Sequence, residues 1–208
     1  MPKLFHLRAS PRRDSVSAAG AELFISRFKE THPGWDIDTL DIWRDTLPQY
    51  DVEAVDAKYA RQSGRPLTQR QSEAQAELGR MVVRLSLAER VVISTPMWNF
   101  GIPYKFKQWI DMIVQPGLTF SFDPKFGYSP LLKDRPTLVI MASGSDFVTG
   151  MNRGRTDLAT PYLREVLGFI GLSNPRFVSI GPTNGSADMT TAARELAFRR
   201  LRELAPTF

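Results

Sequence analysis

The chain has 208 residues, 42% of them hydrophobic, enough to bury one sizeable core, and nothing in it demands a second domain beyond 1–208. It contains no cysteine, which excludes disulfides, thiolate nucleophiles and iron–sulfur ligation and fits a reducing compartment. A net charge of +5 and a pI near 9.7 raise nucleic acid as a partner. No recognised nucleic-acid motif accompanies that charge, however, and Glu195 and Glu203 are interspersed among Arg194, Arg199, Arg200 and Arg202, the pattern of a solvated helix face. No apolar run reaches bilayer length and the start lacks a signal-peptide core, so a cytoplasmic protein without membrane or nucleic-acid partners is expected.

In chain order, Lys3 to Ala9 reads as a first strand with Leu4, Phe5 and Leu7 as its apolar members. Ser10-Pro11-Arg12-Arg13-Asp14-Ser15-Val16-Ser17 follows, and then a helix carrying Leu23, Phe24 and Phe28. Strand, hydroxyl-rich loop and helix start suit a phosphate, because first-turn amides and serine hydroxyls donate while an arginine adds a guanidinium fork. Ordinary helix capping is the competing reading of Ser15 and Ser17. The glycine-rich fingerprints are missing, which argues against a dinucleotide-type Rossmann site.

A second strand is expected over Asp36 to Asp41, and residues 43 to 68 then read as a long polar connection, suited to cover a site or to meet a partner subunit. Thr68-Gln69-Arg70-Gln71 has capping-box spacing and opens a helix toward Ser86, with Leu78, Met81, Val82 and Leu85 inward. Arg90 to Ser94 is a third strand, followed after a loop by Phe106, Ile110 and Ile113 at helical spacing. The fourth strand is Thr137 to Ala142, with a helix from near Asp157 to Phe169, and the fifth is Arg176 to Ile180. A last helix from near Asp188 buries Ala193, Ala197, Leu201 and Leu204. Such alternation predicts an α/β protein, a parallel sheet with helices on both faces.

The loop between the third strand and its helix, Thr95-Pro96-Met97-Trp98-Asn99-Phe100-Gly101-Ile102-Pro103, carries the strongest chemical signal. It leaves the carboxyl end of a buried strand, where open α/β sheets place ligands. Its prolines restrict the backbone, Trp98 and Phe100 offer aromatic surface, and the Asn99 amide both donates and accepts, a set suited to a flat heterocycle. A loop whose aromatics enter the core is the competing reading. His6 within a strand and His32 beside Pro33 have no catalytic partner in the sequence and read as structural. No metal-ligand cluster and no G-x-S-x-G motif is present.

Together the two loops resemble those of the flavodoxin-like flavoproteins, and among them the FMN-dependent NAD(P)H azoreductase and quinone reductase family. The resemblance continues through Lys107-Gln108-Trp109-Ile110-Asp111, Gly117-Leu118-Thr119-Phe120, Leu131-Leu132, Leu138 to Gly144, and Tyr162-Leu163 with Leu167 to Gly171. It implies a flavodoxin-like five-stranded sheet in the order 2-1-3-4-5. It implies FMN held at its phosphate by Ser10, Ser15, Ser17 and the Val16 amide, with Arg12 as a helper, and at the isoalloxazine edge by Pro96, Met97, Trp98, Asn99 and Phe100. Ser143 and Gly144 would bound the other side, and Phe122 would lie near the substrate cavity across a homodimer interface. The family pattern places another glycine after Ser-Gly; Ser145 and Asp146 stand there, and a residue with Cβ resists positive φ. The flavin N5 is then the reactive centre, with no catalytic side chain and no metal, moving electrons from NADH or NADPH to quinones and azo compounds by ping-pong exchange. A flavodoxin-type electron carrier and a non-catalytic flavodoxin-like binding protein are the alternatives.

Overall fold

The protein is described from a computed structural model, which places residues 1–147, 152 and 154–208. In chain order the elements are β1 (Lys3–Arg8), α1 (Val16–Thr31), β2 (Asp36–Asp41), α2 (Val52–Gln62), α3 (Gln69–Ser86), β3 (Arg90–Pro96) and α4 (Tyr104–Ile113). A short hairpin of β4 (Phe120–Asp123) and β5 (Gly127–Pro130) comes next, then β6 (Thr137–Ala142), α5 (Ala159–Ile170), β7 (Arg176–Ile180) and α6 (Ala187–Leu204). The main sheet has five parallel strands ordered β2-β1-β3-β6-β7, which is the expected 2-1-3-4-5 winding once the hairpin is set apart.

Side chains alternate across each strand and so divide the core. Phe5, Leu7, Val91, Ile93 and Val139 join a cluster with Leu78, Val82 and Leu85 of α3, Phe106 and Trp109 of α4, and Leu163 and Leu167 of α5. Leu4, Val92, Leu138 and Ile140 join another with Phe24 and Phe28 of α1 and Ala197 and Leu201 of α6. Burying a side chain the size of Phe24 fully contributes about 1.5–3 kcal/mol.

The capping box at Thr68 and Gln71 is present, with both reciprocal bonds made. In α6, Ala197 and Leu201 are buried while Ala193 and Leu204 are half-buried. The expected long connection over residues 43 to 68 is corrected. It contains α2, capped by the Asp51 side chain and packed through Ala54, Ala57 and Ala60. The hairpin β4–β5 was not anticipated either.

His6 is 4% exposed, and its Nε2 shares a 3.0 Å hydrogen bond with the Ser94 hydroxyl. Burial, with Arg8 nearby, lowers its pKa from 6.5 to about 4. A depressed histidine pKa means the folded state prefers the neutral ring. Its stability is whole above the unfolded pKa and is lost as pH falls from 6.5 toward 4. At about 1.4 kcal/mol per pH unit, the acid side of that window should cost roughly 3 kcal/mol. Urea unfolding at a series of pH values tests this, and His6→Gln should show a shallower loss than the parent; equal slopes would refute the assignment.

Candidate functional site

β1, β3 and β6 are adjacent and parallel, so the segments leaving their carboxyl ends meet on one edge of the sheet. Leaving β1, Ser10 is buried, and Ser15 and Ser17 stand at the start of α1. Ser15 is the helix cap, accepting from the Ala18 amide at 3.3 Å, and its hydroxyl lies 3.2 Å from that of Ser17. The capping reading therefore holds for Ser15. Ser17 is not a cap but a fully buried hydroxyl aligned with it. Val16 and Ser17 belong to the first helical turn, whose amides have no acceptor within the helix, and that turn carries no acidic side chain. Arg12, expected as a helper, is instead forked onto Asp14 at 3.1 and 2.6 Å in an exposed pair. The hydrogen bond raises the guanidinium pKa and lowers that of the carboxyl.

Leaving β3, the chain makes a turn that the sequence disguises. The Trp98 amide donates to the Gly101 carbonyl at 3.0 Å and the Gly101 amide to the Trp98 carbonyl at 2.9 Å, closing a two-residue loop. Asn99 and Phe100 at its tip have φ of 48° and 69°, the left-handed pattern of a type I′ turn. Asparagine tolerates this region; phenylalanine does not, and such strain costs about 1–3 kcal/mol. What surrounds the turn holds it: the Met97 amide donates to the Ala142 carbonyl at 2.7 Å, and the Leu158 amide to the Phe100 carbonyl at 3.1 Å. The aromatics do not enter the core, since Trp98 is 36% and Phe100 45% exposed.

Leaving β6, Ser143 is buried, with its hydroxyl donating to the Ser145 carbonyl at 2.8 Å and its own carbonyl accepting from the Thr183 amide at 2.9 Å and hydroxyl at 3.0 Å. Its amide donates to the Ile180 carbonyl at 3.0 Å, so hydroxyl, amide and carbonyl are all engaged within the protein. A Cβ on Gly144 would come within 2.8 Å of the side-chain amide nitrogen of the exposed Asn184, which would have to swing aside. Ser145 does not adopt positive φ: among the described non-glycine residues only Asn99 and Phe100 do. Ser145 instead accepts from Arg155 at 2.9 Å, and Asp146 is buried.

Beside the turn lies a cavity of about 660 Å³ lined by Trp98, Asn99 and Gly101 together with Tyr50, Gln108 and Asp111. Burial, reinforced by Asp111, raises the pKa of Tyr50 and pushes that of Tyr162 to about 12. Burial likewise lowers the pKa of Lys58, whose ammonium donates to the Val114 carbonyl at 3.0 Å. Phe122 lies on the hairpin, 55% exposed and packed on Tyr128 with ring centroids 4.9 Å apart, whereas Phe120, two residues earlier, is buried against Phe169. Trp109 and Ile110 are buried in the core beneath α4.

Sequence reasoning missed Trp43. Its indole N–H donates to the Ala9 carbonyl at 3.1 Å, and its ring packs on Trp98 and Tyr104 at 5.7 and 5.3 Å. The available signal was a single tryptophan two residues beyond a strand's carboxyl end.

A family model described as the flavodoxin-like fold matches residues 2–205. The FMN-dependent NADH:quinone oxidoreductase 1 of Bradyrhizobium diazoefficiens is 64% identical over 208 residues, covering 100% of both chains. The FMN-dependent NADH:quinone oxidoreductase of Nitratidesulfovibrio vulgaris (strain DP4) is 38% identical over 210 residues, again covering 100% of each. Among solved structures, an azoreductase from Bacillus anthracis str. Sterne superposes with a TM-score of 0.88 at 26% identity over 100% of each chain. An FMN-dependent NADH-azoreductase from Bacillus anthracis str. Ames Ancestor, in complex with FMN, gives 0.85 at 25% identity, covering 98% of this chain and 97% of its own.

Proposed function

The chain belongs to the flavodoxin-like fold family, and from that premise we propose that it is an FMN-dependent oxidoreductase transferring electrons from NADH or NADPH to quinones and aromatic azo compounds. The observation that carries this reading is the meeting, at adjacent carboxyl strand ends, of a hydroxyl-lined helix start with no acidic first turn and a strained turn that presents exposed aromatics. The relatives named FMN-dependent NADH:quinone oxidoreductases and the azoreductase folds support the same chemistry.

The residues fit the cofactor. Ser10, Ser15 and Ser17 with the Val16 amide hold the phosphate at the positive end of α1. Pro96, Met97, Trp98, Asn99 and Phe100 hold the isoalloxazine edge largely through backbone groups, and Ser143 and Gly144 bound its other side. Bound there, FMN supplies a two-electron centre at N5, and the protein contributes binding, orientation and electronic tuning. The exposed Phe122 closes the substrate cavity of a second copy in a homodimer. The whole chain, 1–208, works as a single doubly wound domain with helices on both faces, in the cytoplasm. No helix among the described residues is long and apolar enough to cross a membrane.

One open face serving donor and acceptor in turn makes the exchange ping-pong. Flavin absorption bands in the purified protein, together with sustained NADH consumption in the presence of a quinone, are expected. A protein that binds no FMN defeats the reading, and FMN without turnover would favour an electron carrier. Initial rates at varied NADH and quinone should give parallel double-reciprocal lines; intersecting lines with a detectable ternary complex would overturn the alternating face.

A further inference from the structure

Two loops must hold opposite ends of one cofactor in this reading, yet they leave different strands, β1 and β3. Backbone pairing joins their bases, the Ala9 amide donating to the Ser94 carbonyl at 2.8 Å, and Trp43 ties them beyond that point. Sitting two residues past β2, it donates its indole N–H to the Ala9 carbonyl, one residue before Ser10, at 3.1 Å. The other side of the ring system packs on Trp98, the first residue of the strained turn, at 5.7 Å, and edge-on to Tyr104 at 5.3 Å. Lys105, at the start of α4, completes the clasp: its ammonium lies 5.3 Å from the Trp43 ring and donates to the neighbouring Ile42 carbonyl at 3.2 Å. The carboxyl ends of β1 and β2 and the segment linking β3 to α4 are thus tied through one side chain.

We infer that Trp43 is a positioning residue that couples the hydroxyl-rich loop to the aromatic turn, fixing the separation at which the phosphate and the isoalloxazine edge are received. The inference rests on the proposed FMN site. A tryptophan is suited to the task because it offers a rigid apolar body and one donor at its rim, so a single ring can pack on one loop while bonding the other. The N–H separates this role from simple filling of space.

Trp43→Phe keeps a ring and removes the donor. In the FMN-free protein it should speed amide hydrogen exchange at Ala9 and at the paired Trp98 and Gly101 amides, while the thermal midpoint stays close to that of the parent. In FMN titrations it should weaken binding roughly threefold to tenfold, the range for one lost neutral hydrogen bond, and it should shift the visible flavin bands. Trp43→Ala, which also removes the ring contacts, should move each readout further. Parent protein that takes up no FMN overturns the cofactor reading itself. Parent protein that binds FMN, beside a Trp43→Phe protein with unchanged exchange, affinity and spectrum, overturns the role of Trp43. So does a lowered midpoint with those three unchanged, because that is the signature of packing alone.

Discussion

Converting both Ser15 and Ser17 to alanine should raise the Kd for FMN by at least about 100-fold, since each hydrogen bond to a charged phosphate contributes about 1.5–3 kcal/mol. The structure separates the two serines. Ser15 is the cap of α1, so its loss carries about 1 kcal/mol of helix stability in addition to any contact with phosphate. Ser17 caps nothing, and in the FMN-free protein its buried hydroxyl bonds that of Ser15, so Ser17→Ala should cost unfolding stability about the 0.5–1.5 kcal/mol of one neutral hydrogen bond while weakening FMN binding by more. FMN titration of the stripped proteins, paired with urea unfolding, checks both halves. Unchanged affinity in the folded double variant would remove the phosphate from this helix start, leaving Ser15 only its cap.

How much of this was legible before the structure depends on which physical signal each element carries. The strands β1, β3 and β6 were readable because burial on both faces of a parallel sheet demands continuous runs such as Val91-Val92-Ile93 and Leu138-Val139-Ile140. α3 announced itself through its capping box and through Leu78, Val82 and Leu85 at helical spacing. α2 was silent because its inward face is only Ala54, Ala57 and Ala60, residues too small to register as an apolar stripe, and because Asp51 and Glu53 make its start look polar. The hairpin β4–β5 was hidden for the opposite reason. Its aromatics Phe122, Phe126 and Tyr128 are exposed, so no alternation between core and solvent marks its strands.

The site divides along the same line. Residue types at Pro96 to Phe100 and at Ser10 to Ser17 pointed to ligand loops because the chemistry of a loop is visible in its side chains. Its backbone is not. A type I′ turn is normally signalled by Asn-Gly, and Asn99-Phe100 gives half of that signal while its second residue contradicts it. The left-handed Phe100 is imposed by tertiary bonds from Met97 to β6 and from Leu158 to the turn, which no local pattern encodes. Trp43 is invisible for a related reason: its partners Ala9 and Trp98 are distant in sequence, and a single aromatic has no periodicity.

The left-handed turn also decides which variant of Asn99 is informative. An alanine at φ 48° pays a steric cost of about 1–2 kcal/mol that has nothing to do with the lost amide, whereas glycine occupies that region freely. Asn99→Gly therefore isolates the side chain. The amide is exposed, both cross-turn hydrogen bonds are made by Trp98 and Gly101, and the serines proposed to hold the phosphate leave a different strand, so folding and FMN affinity should survive the change. What should not survive is the speed of the step in which NADH gives up its electrons. If the Asn99 amide contributes about 1.4 kcal/mol to that transition state, stopped-flow reduction of the FMN-loaded variant should be roughly tenfold slower. Asn99→Ala should show the same slowing together with weaker FMN binding, since the strained turn would relax away from the geometry that receives the flavin edge. Parent-like rates in both half-reactions of FMN-loaded Asn99→Gly would reduce Asn99 to a residue chosen for its backbone, and the electronic tuning would then have to come from the peptide groups of the turn itself.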